Sequence, residues 1–238
     1  MSHNPVIILV NPQMGENIGF TARSMGNFGF NELRIVNPRD GWPNKAAEAT
    51  AVKSVNIVKD AKIFDSFNAA VEDLEFLYAT SARSRDFNKE YVNSKEIKND
   101  IKKHNVKLNK IGILFGAEKS GLDNEMISYA NKIVYIPTDP NSKSINIAIS
   151  SALLCYELSD LGSAKTNKHQ DLATQKDLGN FFSHLERMLD ETNFYKIPEK
   201  RDKMLHNIRN IFKRIHNLTS NEVSTLIGII KDLFNYQK

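Results

Sequence analysis

Along the first two-thirds of this chain, apolar positions switch between two rhythms. Short apolar or β-branched runs recur at 6–10, 32–36, 54–58, 75–79, 111–115 and 132–136. Several are continuous rather than alternating, as expected of strands covered on both faces of a parallel sheet. Helical spacing fills the gaps at 17–27, 44–51, 66–71, 94–104 and 124–130, and a longer helix at 145–161 follows the sixth run. The order predicts an α/β domain over 1–161 with a mainly parallel sheet. Residues 162–176 contain one Leu and no aromatic, and read as an exposed linker. From 177 to 238 the pattern is helical. Phe181, Phe182, Leu185 and Leu189 form one apolar stripe, and Leu205, Ile208, Ile211, Phe212 and Ile215 another. At helical spacing the latter five fall within about a third of the circumference. His206, Arg209, Asn210, Lys213 and Arg214 fall on the other side with Lys203 beside them, which predicts a small helical domain with one basic face. A last amphipathic piece runs over 220–234, with Ser220 as N-cap and Glu222 in the first turn.

Composition changes this picture little. Of the 238 residues 41% are hydrophobic and 25% charged, ordinary for a globular protein that can bury a core without disulfide or metal. The net charge of +4 suits a polyanionic partner without demonstrating one. Its placement is more informative, because seven basic residues between Lys196 and Arg214 face only Glu199 and Asp202. Cys155 is the single cysteine, so no intramolecular disulfide can form, and its apolar surroundings read as those of a small buried hydrophobe. No basic n-region precedes the run at 6–10, which is too short for a signal segment or a membrane span, so the expected setting is a reducing cytoplasm.

Common chemistries are excluded by pattern. No G-x-G-x-x-G follows the first strand, and there is no Walker A motif, no G-x-S-x-G elbow and no metal-ligand spacing among the six histidines. Four segments remain. Residues 11–23, from Asn11 to Arg23, follow the first strand with Gly15 and Gly19 at a turn into a helix. Asn17 lies near that helix start, where free N–H groups favour an anion, and Arg23 reads equally as functional or as a solvated helix arginine. Residues 115–124 follow the fifth strand, at the end where open α/β sheets bind ligands. There Gly116 permits close backbone approach and Glu118 can accept hydrogen bonds, although an ordinary loop with Gly121 turning it would look the same. Residues 136–148 lead through Pro137 into Ser144-Ile145-Asn146, where Ser144 reads most simply as an N-cap and Asn146 as an amide in need of partners. Residues 78–85 combine small polar residues with Arg83 and Arg85, for phosphate contact or for solvent.

Taken together and in this order, the segments resemble the SPOUT (α/β-knot) methyltransferases, in the TrmJ branch of the TrmH-like tRNA 2′-O-methyltransferases. The first family motif is matched by Asn17, Gly19, Arg23, Gly26 and Phe28-Gly29, and the second by Phe115-Gly116, Glu118 and Gly121-Leu122. The third is matched by Pro137, Ser144-Ile145-Asn146 and Ala148, while Thr80-Ser81-Ala82-Arg83 looks like that branch's loop after the fourth strand. The tail, with Phe182, His184, Leu185, Glu186, Leu189 and the helix of Arg209 to Arg214, resembles the helical extension of the branch.

The resemblance implies a deep trefoil knot in the α/β domain and a homodimer with its site at the subunit interface. It implies S-adenosylmethionine held by Thr80, Ser81, Ala82, Gly116, Glu118, Ile136, Ser144 and Ile145, and methyl transfer to a tRNA ribose 2′-oxygen at nucleotide 32. Arg23, Asn17, Ser144 and Asn146 would carry the chemistry without a metal. The RNA contacts would come from Arg83, Arg85, Lys203, Arg209, Lys213 and Arg214. Two departures stand out: Ala117 replaces a frequent arginine, and Lys143 a frequent serine. The alternatives are the same core acting on another RNA position, including rRNA, and a catalytically silent RNA-binding relative.

Overall fold

The computed structural model describes residues 4–82, 89–104, 106–161, 172–215 and 218–236. Seven strands, β1 (Val6–Val10), β2 (Leu33–Val36), β3 (Lys62–Phe64), β4 (Phe76–Thr80), β5 (Tyr91–Asn93), β6 (Ile111–Phe115) and β7 (Lys132–Tyr135), form one sheet in the order β3-β2-β1-β6-β4-β7-β5. Every ladder between them is parallel. Both faces are covered, which accounts for the continuous apolar runs: all five residues of β1 are fully buried, with Ile7 and Leu9 packing to one side and Val6, Ile8 and Val10 to the other.

The helices of the α/β part are α1 (Gly15–Asn27), α2 (Lys45–Ala51), α3 (Val55–Lys59), α4 (Phe67–Val71), α5 (Ile97–Lys103), α6 (Asn124–Tyr129) and α7 (Ile147–Glu157). Polar side chains start several of them. Asn44 accepts from Ala47 N at 3.1 Å, Ser66 from Ala69 N at 3.3 Å and Asp123 from Met126 N at 2.8 Å. α1 packs closely on α2 because Gly19 has no side chain: a Cβ there would lie 2.2 Å from the Ala47 carbonyl oxygen.

One expected strand is a helix. Residues 54–58 continue the helical path from α2 through a 3₁₀ turn (Val52–Ser54) into α3, where Val58 alone is buried. β-branched composition suggested a strand there, but packing against α1 decides otherwise. The true third strand, β3, and the edge strand β5 have three residues each, too few to show a pattern.

The tail has α8 (Gln175–Glu191), α9 (Arg201–Lys213) and α10 (Ser220–Tyr236), packed around Phe181, Phe182, Leu178 and Val223. Thr174 and Asp177 form a capping box that opens α8, and Ser220 Oγ donates to the same Asp177 carboxylate at 3.1 Å. Thr219 rather than Ser220 caps α10: its hydroxyl accepts from Glu222 N at 3.3 Å, and the Glu222 carboxylate accepts from Thr219 N at 2.7 Å. Within the segment expected as linker, residues 162–171 lie outside the described residues, while Leu172 and Ala173 are buried. Gln175 N donates to Leu74 O at 2.7 Å and Lys176 N to Glu72 O at 3.0 Å, which joins the tail to the α/β part.

Candidate active site

A cleft of about 210 Å³ opens at the C-terminal ends of β4, β6 and β7. Thr80, Ser81 and Ala82 line it at and just past the end of β4, residues 115–122 at and after the end of β6, Ile136 just past β7, and Lys143, Ser144 and Ile145 in the loop before α7. The structure therefore brings together around one space the eight residues expected to hold a cofactor, from four segments of the chain. Hydrogen bonds fix its walls: Thr80 Oγ1 donates to Leu114 O at 2.8 Å and Ser81 N to Val134 O at 3.0 Å. Gly116 is required by close approach, since a Cβ would lie 2.1 Å from Leu122 N and 2.2 Å from Gly121 C, both backbone atoms. Gly121 closes the 117–121 turn at φ +70°, with its N–H donating to Ala117 O at 2.8 Å.

Three motifs far apart in sequence meet beside the cleft through side chains. The Glu118 carboxylate accepts from Gln13 N at 2.8 Å, from Met14 N at 3.2 Å and from Asn17 Nδ2 at 2.9 Å. It thereby satisfies free N–H groups at the start of α1 with a negative charge, as a helix N-terminus favours. Asn17 Oδ1 in turn accepts from Asn146 Nδ2 at 3.1 Å. Asn146, not Ser144, is the N-cap of α7, its Oδ1 accepting from Ala148 N at 2.8 Å and Ile149 N at 3.4 Å. Ser144 is left exposed at the cleft. Arg23 is also exposed, nearly two turns along α1 from the buried Asn17, and does not line the cleft. Nothing in the sequence signals that the N–H groups of Gln13 and Met14 meet a carboxylate more than a hundred residues away.

The strands that frame the cleft are pinned from below. Tyr78 of β4 donates to Asp100 Oδ2 at 2.7 Å and Lys132 of β7 to Asp100 Oδ1 at 2.8 Å. Burial opposes ionisation of Asp100, but hydrogen bonds with His104, Lys132 and Tyr78 hold its carboxyl well below the usual range. Burial, together with that carboxylate, pushes the Tyr78 hydroxyl well up.

The tail reverses part of the expected orientation of α9. Leu205 and Phe212 pack inward, but Ile211 and Ile215 are each about half exposed (51% and 50%). Lys213 is 2% exposed and Asn210 3%. Arg209 donates to the Glu186 carboxylate at 2.7 Å and stacks on the rings of Tyr129 and Phe182. The cause is the neighbours: Tyr129 of α6 offers Arg209 a ring, and Gln175 and Glu186 of α8 offer acceptors to Lys213 and Arg209. Lys203 and Arg214 are exposed as expected, and Arg83 and Arg85 lie outside the described residues. Among the described residues no helix is long and apolar enough to cross a membrane, and no cluster of side chains could hold a metal ion.

An all-parallel α/β sheet with a glycine-floored cleft at its strand ends is the frame of a small-molecule-dependent enzyme. The SpoU rRNA Methylase family matches residues 4–156, and the chain belongs to that family. The tRNA methyltransferase TrmJ, C-terminal domain, matches residues 176–236. The tRNA (cytidine-2′-O-)-methyltransferase TrmJ of Methanocaldococcus jannaschii is 35% identical over 235 residues, covering 94% of this chain and 97% of the relative. TrmJ from Z. mobilis ZM4 superposes with a TM-score of 0.87 at 34% identity, covering 96% of this chain and 98% of that one. The SpoU methyltransferase AviRb from Streptomyces viridochromogenes, solved in complex with the cofactor AdoMet, shares the fold at a TM-score of 0.52 and 17% identity, covering 66% of this chain and 60% of that one.

Proposed function

We propose that the chain uses S-adenosylmethionine to methylate the ribose 2′-hydroxyl of cytidine or uridine at nucleotide 32 of tRNA. The observation that carries this reading is the cleft itself, because residues from every family motif converge on it or on the Glu118–Asn17–Asn146 chain beside it. Supporting it are the substrate named for the M. jannaschii relative and the cofactor bound by AviRb. The residues suit that cofactor: Phe115, Leu122, Val134, Ile136 and Ile147 give an apolar wall for a flat base, and Ser144, Lys143 and Lys119 give a polar rim for a charged amino-acid end. Bound there, the cofactor would supply an electrophilic methyl group on a sulfonium.

The enzyme's own task is to hold the ribose in line and to stabilise charge growing on its 2′-oxygen while the proton leaves to solvent. Arg23 fits as the electrostatic partner, since a guanidinium stays protonated and cannot act as a base. Asn17 already has both ends of its amide engaged, so it and Asn146 position α1 against α7, while the exposed Ser144 hydroxyl is available to the RNA. Exposed apolar side chains on the adjoining α1 and α7, namely Phe20, Ile149, Leu153 and Tyr156, give a second copy of the chain a face to cover, which supports a homodimer as the working form.

The test is methyl transfer from labelled cofactor to bulk tRNA, followed by digestion and nucleoside mass analysis. Label in 2′-O-methylcytidine or 2′-O-methyluridine at nucleotide 32 supports the reading, and label on a base or in rRNA alone overturns it. Near-full turnover in Arg23→Lys would exclude a bidentate guanidinium contact.

A further inference from the structure

α9 sits on the α/β part largely by its polar side. Arg209 lies over the Tyr129 ring of α6, and Lys213 is buried within reach of the Lys89 charge, while Met204, Ile211 and Ile215 face outward. The Lys213 ammonium donates to Gln175 Oε1, a neutral acceptor. Lys89, 9% exposed, donates to the carbonyls of Ser128 at 3.2 Å and Ala130 at 2.6 Å, at the end of α6. Among the described residues neither ammonium meets a carboxylate, and Asn210 Oδ1, one turn before Lys213 on α9, is buried without a hydrogen-bond partner. Burial lowers the Lys213 pKa well below the ordinary range, and the charges of Lys89 and Arg209 lower it further, whereas the Lys89 pKa is lowered by burial alone. Burying an amine without a counter-ion costs either the desolvation of its charge or the loss of its proton, so hydrophobic gain does not explain this part of the seam. Polar interfaces between parts of a chain are those that open most readily.

We propose that this seam is the closed form of an RNA-binding surface: α9 lifts from α6 when RNA docks, and Lys89, Arg209 and Lys213 then take phosphates of its backbone. The inference rests on the tRNA reading above and adds to it which face binds and that the face must first be exposed. Lys196, Lys200, Lys203 and Arg214 are already exposed and make the first electrostatic contact. Phosphate then supplies the counter-charge that Lys89 and Lys213 lack in the closed seam, which biases the two-state equilibrium toward the open form. Position rather than sequence is what such contacts give, so base choice stays with the cleft.

The experiment uses the full chain with spin labels at Glu125→Cys on α6 and Asn207→Cys on α9, both exposed, diluted with unlabelled protein. The only native cysteine, Cys155, is fully buried and does not compete for label. Saturating tRNA is expected to lengthen the interlabel distance by roughly 10 Å, the width of a helix. An unchanged distance with tRNA demonstrably bound overturns the inference and leaves the tRNA reading standing. Failure of the same labelled sample, and of unlabelled wild type, to bind tRNA overturns both. Lys213→Met gives an independent readout. It is expected to keep or raise the melting temperature while flattening the salt dependence of tRNA affinity by about one unit of slope. An unaltered slope would overturn the assignment of a phosphate to Lys213.

Discussion

Replacing Glu118 by Gln tests the hydrogen-bond chain beside the cleft at the point where it carries most. In the native protein the carboxylate accepts three donors, two of them on Oε1 and one on Oε2. A glutamine in the same place can keep its oxygen toward Met14 N and Asn17 Nδ2, but its NH₂ then faces Gln13 N, donor against donor. One hydrogen bond to a charged group, worth about 1.5–3 kcal/mol, is lost, and two others fall to neutral strength. Because Glu118 is only half-buried and water reaches the freed N–H, the local loss is taken as about 2 kcal/mol.

That loss loosens the start of α1, and with it the seat of Arg23, while the cleft wall at Gly116, Ile136 and Ile145 is untouched. Steady-state kinetics are therefore expected to show kcat reduced about 10- to 30-fold, at about 1.4 kcal/mol per tenfold, with the KM for the cofactor moved less than threefold. Combining Glu118→Gln with Asn17→Ala is expected to cost little more than either alone, as for members of one network. The reasoning is refuted by the opposite split: kcat retained and cofactor KM raised tenfold or more would mean that the carboxylate serves the cofactor and not the helix.

Gly116→Ala places a methyl against the backbone of Gly121 and Leu122, so calorimetry is expected to show cofactor binding lost and the melting temperature lowered by several degrees. Burial lowers the Lys89 pKa to about 7, so between that value and the unfolded value near 10.5 the folded state binds fewer protons. Stability is therefore expected to rise as pH is raised from about 7 toward 10, and Lys89→Met to flatten that rise in melting curves; the carbonyls of Ser128 and Ala130 accept from the Lys89 ammonium, and Lys213 lies within reach of its charge. Cys155 is fully buried and its thiol is pushed up to about 12, so a disulfide reagent is expected to react only as fast as the chain unfolds. A fast thiol titration of the native protein would contradict the packing of α7.

What the sequence made legible follows from how far each physical signal reaches. Runs such as 6–10 and 111–115 could be assigned because burial on both faces leaves no polar position inside a strand, a property each run displays by itself. β3 and β5 display nothing in three residues, and 54–58 has a strand's composition in a place where α1 needs a helix. The residues around the cleft were legible as motifs, but how they spend their hydrogen bonds was not. Ser144 and Asn146 are both competent caps, and which one serves depends on the turn of the chain into α7 and on the Asn17 amide waiting across it. The same limit governs α9. Helical spacing states which residues share a face; it does not state what that face will meet. Lys213 and Arg209 share a face by spacing, and that face turns inward because Gln175, Glu186 and Tyr129 lie there with acceptors and a ring. Amphipathic pattern therefore identifies an interaction surface without fixing whether it is open or covered. A basic face found covered by its own domain, with part of its apolar stripe left to water, is consistent with a helix whose second partner is not part of its own chain.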